Sequence, residues 1–226
     1  MIKNKLMLSI VVVVLLFFSV VSVCQASMGT TLLRIGSTGP DVVELQTKLN
    51  YLGYNVGTAD GIFGNHTKEQ VIAFQTNKGL SADGLVGSLT ATTLNTAFAE
   101  KQRQDKINSI INIANQNIGV RYQWGGTSPT TGFDCSGFTS YVFAQNGISL
   151  PRISRDQYNV GTSVNYTGLQ QGDLVFFSIA NNGIVDHVGI YLGNNQFINA
   201  SSSKGVTIYT MGPYWQSIFL GGKRVL

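Results

Sequence analysis

The spacing of apolar residues along the chain changes near Pro151. Before this point, apolar residues recur every three or four positions, as they do on one face of an amphipathic helix. After it, short runs rich in β-branched and aromatic residues are separated by Gly-Asn and Gly-Asp pairs, which is typical of strands joined by tight turns. Helices followed by neighbouring strands predict an α+β fold with an antiparallel sheet. The predicted strands are residues 174–177, 187–192, 197–200, 206–209 and 219–226.

The first 26 residues have the layout of a secretory signal peptide. A short basic head precedes an almost unbroken apolar run, residues 6–23, and small residues up to Ala26 provide a cleavage site. The run is also close to the minimum length for crossing a bilayer, so an uncleaved N-terminal anchor is the alternative. Lipidation of Cys24 is disfavoured because Val23 is bulky where lipoprotein boxes have a small residue. In each case we expect the remaining residues outside the cytoplasm, with a membrane contact only through this segment.

Composition and charge exclude two classes of protein. Hydrophobic residues make up 43% of the chain and charged residues 12%, so the chain has enough apolar surface for a core and is not intrinsically disordered. Of 15 basic side chains, Lys3 and Lys5 lie in the signal segment, which leaves 13 basic against 11 acidic groups and a net charge of +2. That charge is too small and too scattered for a nucleic-acid-binding protein.

Cys135 is the only cysteine outside the signal segment, because the other of the two is Cys24. It therefore has no internal disulfide partner and is either a small buried hydrophobic residue or a reactive thiol. Phe138, Tyr141 and Val142 follow it at helical spacing, which places Cys135 in the first turn of a helix. Unpaired N–H groups and the helix dipole at that position favour a thiolate, so we expect a lowered thiol pKa and a nucleophilic role.

His187 is the candidate base for this thiol. It is the only histidine in the second half of the chain, and it stands at the start of a predicted strand. Strand alternation puts His187 and Gly189 on one face, and a hairpin to the next strand brings Asn199 against His187. An Asn oxygen that accepts the ring N–H fixes the tautomer of the base, which would complete a Cys-His-Asn set. Without Cys135, a lone histidine here would be interpreted as an ordinary polar residue.

Residues 33–98 have the pattern of a separate helical module. Two copies of one pattern, residues 60–67 and 83–90, each contain Asp-Gly, two apolar residues, Gly, two variable residues and Thr. The glycines permit tight turns and the apolar pair fills the core, so the repeat is a structural device. The charged segment 99–106 predicts a linker, or the exposed start of the next helix, before a second domain at residues 107–226.

The module resembles the three-helix peptidoglycan-binding domain found beside many cell-wall hydrolases. The resemblance covers residues 39–94 with the spacing intact and implies binding to bacterial peptidoglycan. A helical packing domain without a ligand of its own is the alternative. The matching residues are Asp41-Val42, Leu45-Gln46, Leu49, Leu52-Gly53-Tyr54, Asp60-Gly61-Ile62-Phe63-Gly64, Thr67, Phe74-Gln75, Gly79-Leu80 and Asp83-Gly84-Leu85-Val86-Gly87.

Residues from about 107 to 226 resemble the NlpC-type cell-wall cysteine peptidase family, which has a compact papain-like fold. The resemblance implies that Cys135 is the nucleophile and His187 the general base. It also implies that three residues line the acyl-side pocket, namely Tyr122, Asp134 and Ser136. The matching motifs are Tyr122 with Trp124-Gly125-Gly126, Phe133-Asp134-Cys135-Ser136-Gly137, Leu150-Pro151-Arg152, Gly172-Asp173-Leu174-Val175-Phe176-Phe177 and His187-Val188-Gly189-Ile190-Tyr191.

Together the two resemblances imply a secreted or cell-wall-associated peptidoglycan endopeptidase that cuts stem peptides, with the D-glutamyl to diamino-acid bond as the expected site. A Cys-His amidase, a crossbridge peptidase and a catalytically inactive wall-binding protein are the alternatives. The chain departs from the family at the third polar position, where a second histidine is usual and Asn199 stands here. No cofactor or metal is implied, because His66 has no cysteine or second histidine near it in the sequence.

Overall fold

The computed structural model describes residues 28–226, so the predicted signal segment lies outside the described residues. The chain divides into two compact units. The first contains the residues up to Thr47 together with Asn55–Thr92, and the second contains Lys48–Tyr54 together with Thr93–Leu226. Within residues 28–226, none of the helices combines the length and the apolar character that crossing a membrane requires.

The first unit is built from helices. They are α1 (Pro40–Tyr51), α2 (Asn65–Asn77) and the beginning of α3 (Ser88–Gln116). Apolar residues at helical spacing form its core, because each helix buries one face. The buried residues include Val42, Leu45, Val71, Phe74, Val86 and Ala91. This is the small all-helical domain that the sequence predicts.

The repeated Asp-Gly pattern forms two equivalent turns, each organised by a buried glutamine. In the first, the Gln46 amide donates to Asp60 Oδ1 (3.0 Å) and to Thr67 Oγ1 (3.3 Å), while its oxygen accepts from the Gly61 N–H (2.9 Å). One side chain thus satisfies polar groups at both ends of the turn, which burial would otherwise leave unpaired. The second turn has the same contacts among Gln75, Asp83, Gly84 and Thr90.

The segment 99–106, predicted as a linker, is helical, because α3 continues through it without a break. The segment contains no Gly or Pro, and its Glu, Lys, Gln and Arg residues are good helix formers. Lys101 and Asp105 also form an i,i+4 ion pair on this helix. The apolar residues Ile107, Ile110 and Ala114 are buried on the following turns. The charged segment is therefore the middle of one long helix, whereas the sequence predicted either a linker or the start of a new helix.

The second unit contains the predicted antiparallel sheet and confirms the α+β class. Six strands lie in the order β3-β8-β4-β5-β6-β7, and a separate two-stranded sheet pairs β1 with β2. The strands are β1 (Thr127–Ser128), β2 (Gly132–Phe133), β3 (Thr162–Val164), β4 (Leu174–Phe177), β5 (His187–Gly193), β6 (Gln196–Ser201), β7 (Gly205–Thr210) and β8 (Phe219–Arg224). The helices are α4 (Cys135–Ala144), α5 (Ser154–Gln157) and α6 (Pro213–Ser217), with a 3₁₀ turn at Tyr166–Gly168.

The central strands of the sheet are covered on both faces. On one face, Phe138 and Val142 of α4 pack in the same buried cluster as Val188 and Ile190 of β5. On the other face, a second cluster contains residues of β4 and β6 and the half-buried Trp215 of α6. The first residue of α4 and the first residue of β5 are Cys135 and His187. The two predicted chemical groups therefore stand where a helix and a strand begin.

Candidate active site

Cys135 lies at the N-terminus of α4, and Asp134 caps that helix. The Asp134 backbone is extended, and its carboxylate accepts the Gly137 N–H at 2.7 Å. The Cys135 sulfur is approached by the backbone N–H groups of Val188, Ser136 and Cys135 itself. The thiol is thus held between the first turn of α4 and the start of β5, as the sequence predicts for a nucleophile on a helix.

The protonation state of this thiol differs from the sequence-based expectation. Burial, and after it the negative charge of Asp134, raises the pKa of Cys135 to about 11. The three backbone N–H groups favour the thiolate but do not outweigh these two effects. The expectation of a lowered pKa is therefore wrong for the unliganded site. The helix N-terminus was visible in the sequence, whereas the depth of burial was not.

His187 and Asn199 form the predicted pair. His187 Nε2 lies 3.0 Å from Asn199 Oδ1, and the Asn199 amide nitrogen donates to the Thr207 carbonyl at 3.3 Å. The bond to Thr207 turns the amide so that its oxygen faces the ring. Nε2 therefore carries the proton and Nδ1 is free to accept one. Burial lowers the pKa of His187, against the opposing effects of the Asn199 bond and the Asp186 charge.

Gly189 makes room for this pair. It faces β6, and a Cβ built on it would lie 2.8 Å from the Ile198 carbonyl oxygen and 3.2 Å from the Asn199 Cβ. Any larger residue would push β6 away from β5 and lengthen the bond between Asn199 and His187. The short distance between His187 and Asn199 therefore requires the glycine of the His-Val-Gly motif.

The three predicted pocket residues lie beside the thiol. Asp134 forms a two-point ion pair with Arg152, with Nη1–Oδ1 and Nη2–Oδ2 distances of 3.1 and 2.6 Å. Arg152 also donates to Ser136 Oγ at 3.1 Å. Burial would raise the Asp134 pKa, but the Arg152 bonds and the Gly137 N–H hold it below its ordinary value. Burial raises the pKa of Tyr122, and so do its neighbours Cys135 and Asp134.

All six predicted site residues line one cleft of ≈ 700 Å³. The cleft is of the size of a small-ligand site. Among residues 28–226, no group of three or more His, Cys, Asp or Glu side chains is arranged to hold a metal ion. The six are Cys135, His187, Asn199, Tyr122, Asp134 and Ser136.

Residues 119–224 match the family model described as the NlpC/P60 family. This part of the chain is an NlpC/P60 domain. Residues 38–94 match the model of a putative peptidoglycan binding domain, which agrees with the resemblance of the helical module. The two matches lie in the same order along the chain as the two resemblances.

Known proteins are similar to the NlpC/P60 domain. The murein DD-endopeptidase MepS/murein LD-carboxypeptidase of Escherichia coli is 47% identical over 110 residues, which is 48% of this chain and 57% of that protein. The gamma-DL-glutamyl hydrolase of Bacillus subtilis is 44% identical over 117 residues, 51% of this chain and 28% of that protein. The chain thus spans 28% to 57% of the length of these curated relatives. The crystal structure of a Bacillus cereus NlpC/P60 family protein superimposes with a TM-score of 0.51 at 36% identity, covering 53% of this chain and 40% of that one.

Several residues of the NlpC/P60 domain support the site without having been assigned a role from the sequence. Gln157 is fully buried and donates to the Ser136 carbonyl (3.1 Å) and to the Pro151 carbonyl (2.8 Å), which ties the first turn of α4 to the following loop. Arg152 belongs to one of the matching motifs, but nothing in the sequence indicates that it pairs with Asp134. For Gln157 the sequence carried no signal, because a buried glutamine is recognised only from its partners.

Asp186 directly precedes His187 in the chain. Its two oxygens accept the backbone N–H groups of Ile179 and Ala180 at 2.7 and 2.8 Å. The carboxylate is therefore engaged in closing the loop between β4 and β5. The acceptor on the His187 ring is Asn199.

Proposed function

We propose that this chain is a peptidoglycan endopeptidase that uses Cys135 as nucleophile, His187 as general base and Asn199 as the residue that orients the base. One observation carries the proposal. His187 is bonded through Nε2 to Asn199 Oδ1, and it lines the same cleft as the thiol at the start of α4. This leaves Nδ1 as the nitrogen that can take the thiol proton. The family of the domain supports the same reaction class.

The reaction begins with two neutral groups, because the pKa of Cys135 is raised and that of His187 is lowered. As the sulfur attacks the scissile carbonyl carbon, a C–S bond forms and the thiol proton moves to His187 Nδ1. The carbonyl oxygen becomes an oxyanion. The backbone N–H groups of Cys135 and Ser136, which lie against the sulfur, are the proposed donors to that charge.

The second half of the reaction restores both groups. The imidazolium gives its proton to the amine nitrogen as the C–N bond breaks, which leaves an acyl-enzyme thioester. His187 then removes a proton from a water molecule that attacks the thioester carbonyl, and the sulfur leaves and regains its proton. Asn199 accepts the Nε2 hydrogen throughout, so the ring does not rotate between the two proton transfers.

The bond between D-glutamate and the diamino acid of the stem peptide is the proposed site of cleavage. A relative named gamma-DL-glutamyl hydrolase favours this bond, whereas the relative named murein DD-endopeptidase favours a crossbridge. An amidase that cuts the sugar–peptide link would use the same Cys-His chemistry. Mass spectrometry of the products separates the three reactions, because the first leaves a dipeptide on the glycan, the crossbridge peptidase leaves the stem peptide and the amidase leaves no peptide.

The helical module is proposed to tether the enzyme to the wall, and the N-terminal segment to export it. The match of residues 38–94 to a putative peptidoglycan binding domain supports the tether. Holding the enzyme on its substrate raises the local substrate concentration without altering the chemistry. The domain limits 33–98 and 107–226 are part of this proposal, with α3 shared by both segments.

The decisive experiment incubates the purified protein, lacking residues 1–26, with insoluble sacculi. We expect release of peptides that begin with the diamino acid and retention of a dipeptide on the glycan. Cys135→Ala should release nothing while keeping the circular dichroism spectrum, because the substitution removes one atom at the helix start. Release by Cys135→Ala would refute the thiol mechanism. If the unmodified protein releases no peptide, although alkylation shows that its Cys135 thiol is intact, that result would favour a wall-binding protein without activity.

A further inference from the structure

Trp215 covers one face of the His187 ring. The two ring centroids lie 5.9 Å apart with an interplanar angle of 29°, which is an offset stack. Trp215 is half-buried and lines the same cleft as Cys135. No motif or periodic pattern in the sequence points to this residue. Its helix, α6, has only five residues and begins with a proline, so no periodicity marks it in the sequence.

The surrounding side chains hold Trp215 firmly. Its ring packs against Phe177 and Phe197 with centroid distances of 4.8 and 4.9 Å, and against Tyr209 at 5.4 Å. The next residue, Gln216, donates to the Met211 carbonyl (2.8 Å), which anchors α6 to the end of β7. An indole fixed in this way cannot move aside when the imidazole reorients.

The indole lies against the face of the imidazole, and this position determines which motion of the His187 ring it restricts. A hydrogen bond to Nε2 fixes one point of the imidazole but leaves the ring free to tilt about that bond. A flat neighbour on one face removes the tilt, so the free Nδ1 keeps its direction. The indole face is also negative, and a cation within about 6 Å of its centroid is stabilised. The imidazolium that forms when His187 accepts a proton is such a cation.

We propose that Trp215 is a positioning residue for His187: it holds the imidazole in the plane in which Nε2 meets Asn199, and it stabilises the imidazolium formed during proton transfer. This inference rests on the proposed function for its catalytic meaning. The contact itself is a property of the ring pair and can be measured without a substrate.

Other titratable groups lie around His187 and must stay constant in the test. Cys135 and Asp134 lie at the start of the helix that faces it, and Asp186 precedes it in the chain. Tyr209 packs against the indole. Substitutions at Trp215 leave these four residues in place, so a change in the titration of His187 reports the loss of the indole.

The direct test uses Trp215 as its own reporter. The chain has two tryptophans, so in Trp124→Phe all the tryptophan fluorescence comes from Trp215. An imidazolium in contact quenches indole fluorescence, and we expect the emission to fall on acidification through the titration of His187. The transition should disappear in the Trp124→Phe/His187→Gln double variant. Tryptophan emission that does not change with pH would overturn the proposed contact. So would a pH-dependent change in emission that is still present in the His187→Gln variant.

The second test measures the base itself by ¹⁵N NMR of the histidine rings. Only His66 and His187 contribute, and His66 is exposed. In Trp215→Leu we expect the Nε2–H tautomer to lose population and the acid dissociation constant of the imidazolium to rise about three- to tenfold, since the π face is gone. Trp215→Phe should restore most of both values. Tyr214→Leu is the matched control, because Tyr214 lies on the same helix and touches Trp215 rather than His187.

Turnover of a soluble muropeptide completes the test. We expect kcat to fall about tenfold in Trp215→Leu with KM unchanged, because orientation of the base affects the chemical step. An unchanged tautomer and dissociation constant in Trp215→Leu would refute the inference, whatever the turnover. If the leucine variant does not fold, the fluorescence titration of the sole-tryptophan protein decides. Failure of the proposed function would instead leave both ring measurements as expected and abolish only the cleavage.

Discussion

Alkylation of Cys135 as a function of pH tests whether the resting thiol is protonated. The site raises the pKa of this thiol from 9.0 to about 11, first through burial and then through the Asp134 charge. At pH 7 this leaves about 100-fold less thiolate than an unperturbed thiol would have. The more basic thiolate is about tenfold more nucleophilic, for a Brønsted slope near 0.5. We therefore expect Cys135 to react about tenfold more slowly at pH 7 than a cysteine in a short peptide.

The assay follows the mass of the protein lacking residues 1–26 during reaction with iodoacetamide. Cys135 is the only cysteine left in that protein, so the addition of one carbamidomethyl group reports the reaction of this thiol. The rate should rise about tenfold for each pH unit until the pH approaches the thiol pKa. Rapid alkylation that does not depend on pH between 5 and 8 would reveal a resting thiolate–imidazolium pair and refute this reasoning.

Asp134→Asn separates the two causes of the raised pKa. The amide oxygen can still cap α4 by accepting the Gly137 N–H, but the negative charge next to the sulfur is gone. We expect faster alkylation than in the unmodified protein. Asp156→Asn, an exposed carboxylate of α5, is the matched control and should change nothing. Equal rates in all three proteins would assign the raised pKa to burial alone.

Three further results are expected. Asn199→Ala should lower turnover about 10- to 1000-fold with little change in KM, whereas Asn199→His should keep much of the rate because a bare ring nitrogen accepts the same bond; equal kinetics for both would place the orienting group elsewhere. Deletion of residues 1–87 leaves α3 whole, so a soluble muropeptide should still be cleaved while sedimentation with sacculi weakens; unchanged sedimentation would refute the tether. The free energy of unfolding should fall on acidification below pH 6.5, since the lowered pKa of His187 means that the unfolded chain binds the proton first; His187→Gln should remove this part of the slope.

The His187–Asn199 contact could be predicted because strand geometry is periodic. Alternation fixes which side chains share a face, and a short hairpin fixes which residues lie opposite each other. The pairing of Ile190 with Ile198 puts Gly189 next to Asn199 on the cleft side, as the sequence requires. The same reasoning placed Cys135 at a helix start, because a helix N-terminus has a local signature.

Contacts between distant segments could not be predicted in this way. Arg152 reaches Asp134 across 18 positions, and neither residue carries a local signal of the other. Trp215 lies on a helix too short for a periodic pattern, and its role depends on a cluster assembled from three strands. The pKa of Cys135 depends on burial and on one neighbouring charge. The continuity of α3 was ambiguous, because a charged segment is compatible both with a linker and with an exposed helix face.

The protonation states of Cys135 and His187 determine which charges the site must stabilise during the reaction. Moving the proton from Cys135 to His187 is unfavourable in the unliganded site, because the pKa of the thiol is raised and the pKa of the imidazole is lowered. A free thiolate is therefore rare, and the proton must leave the sulfur as the C–S bond forms. Stabilisation is then required for the imidazolium and for the oxyanion rather than for a resting thiolate. In the proposed mechanism, Asn199 and Trp215 contact the imidazolium, and the N–H groups at the start of α4 donate to the oxyanion. The helix N-terminus that suggested a reactive thiol thus contributes to the transition state, where its interaction is stronger than in the ground state.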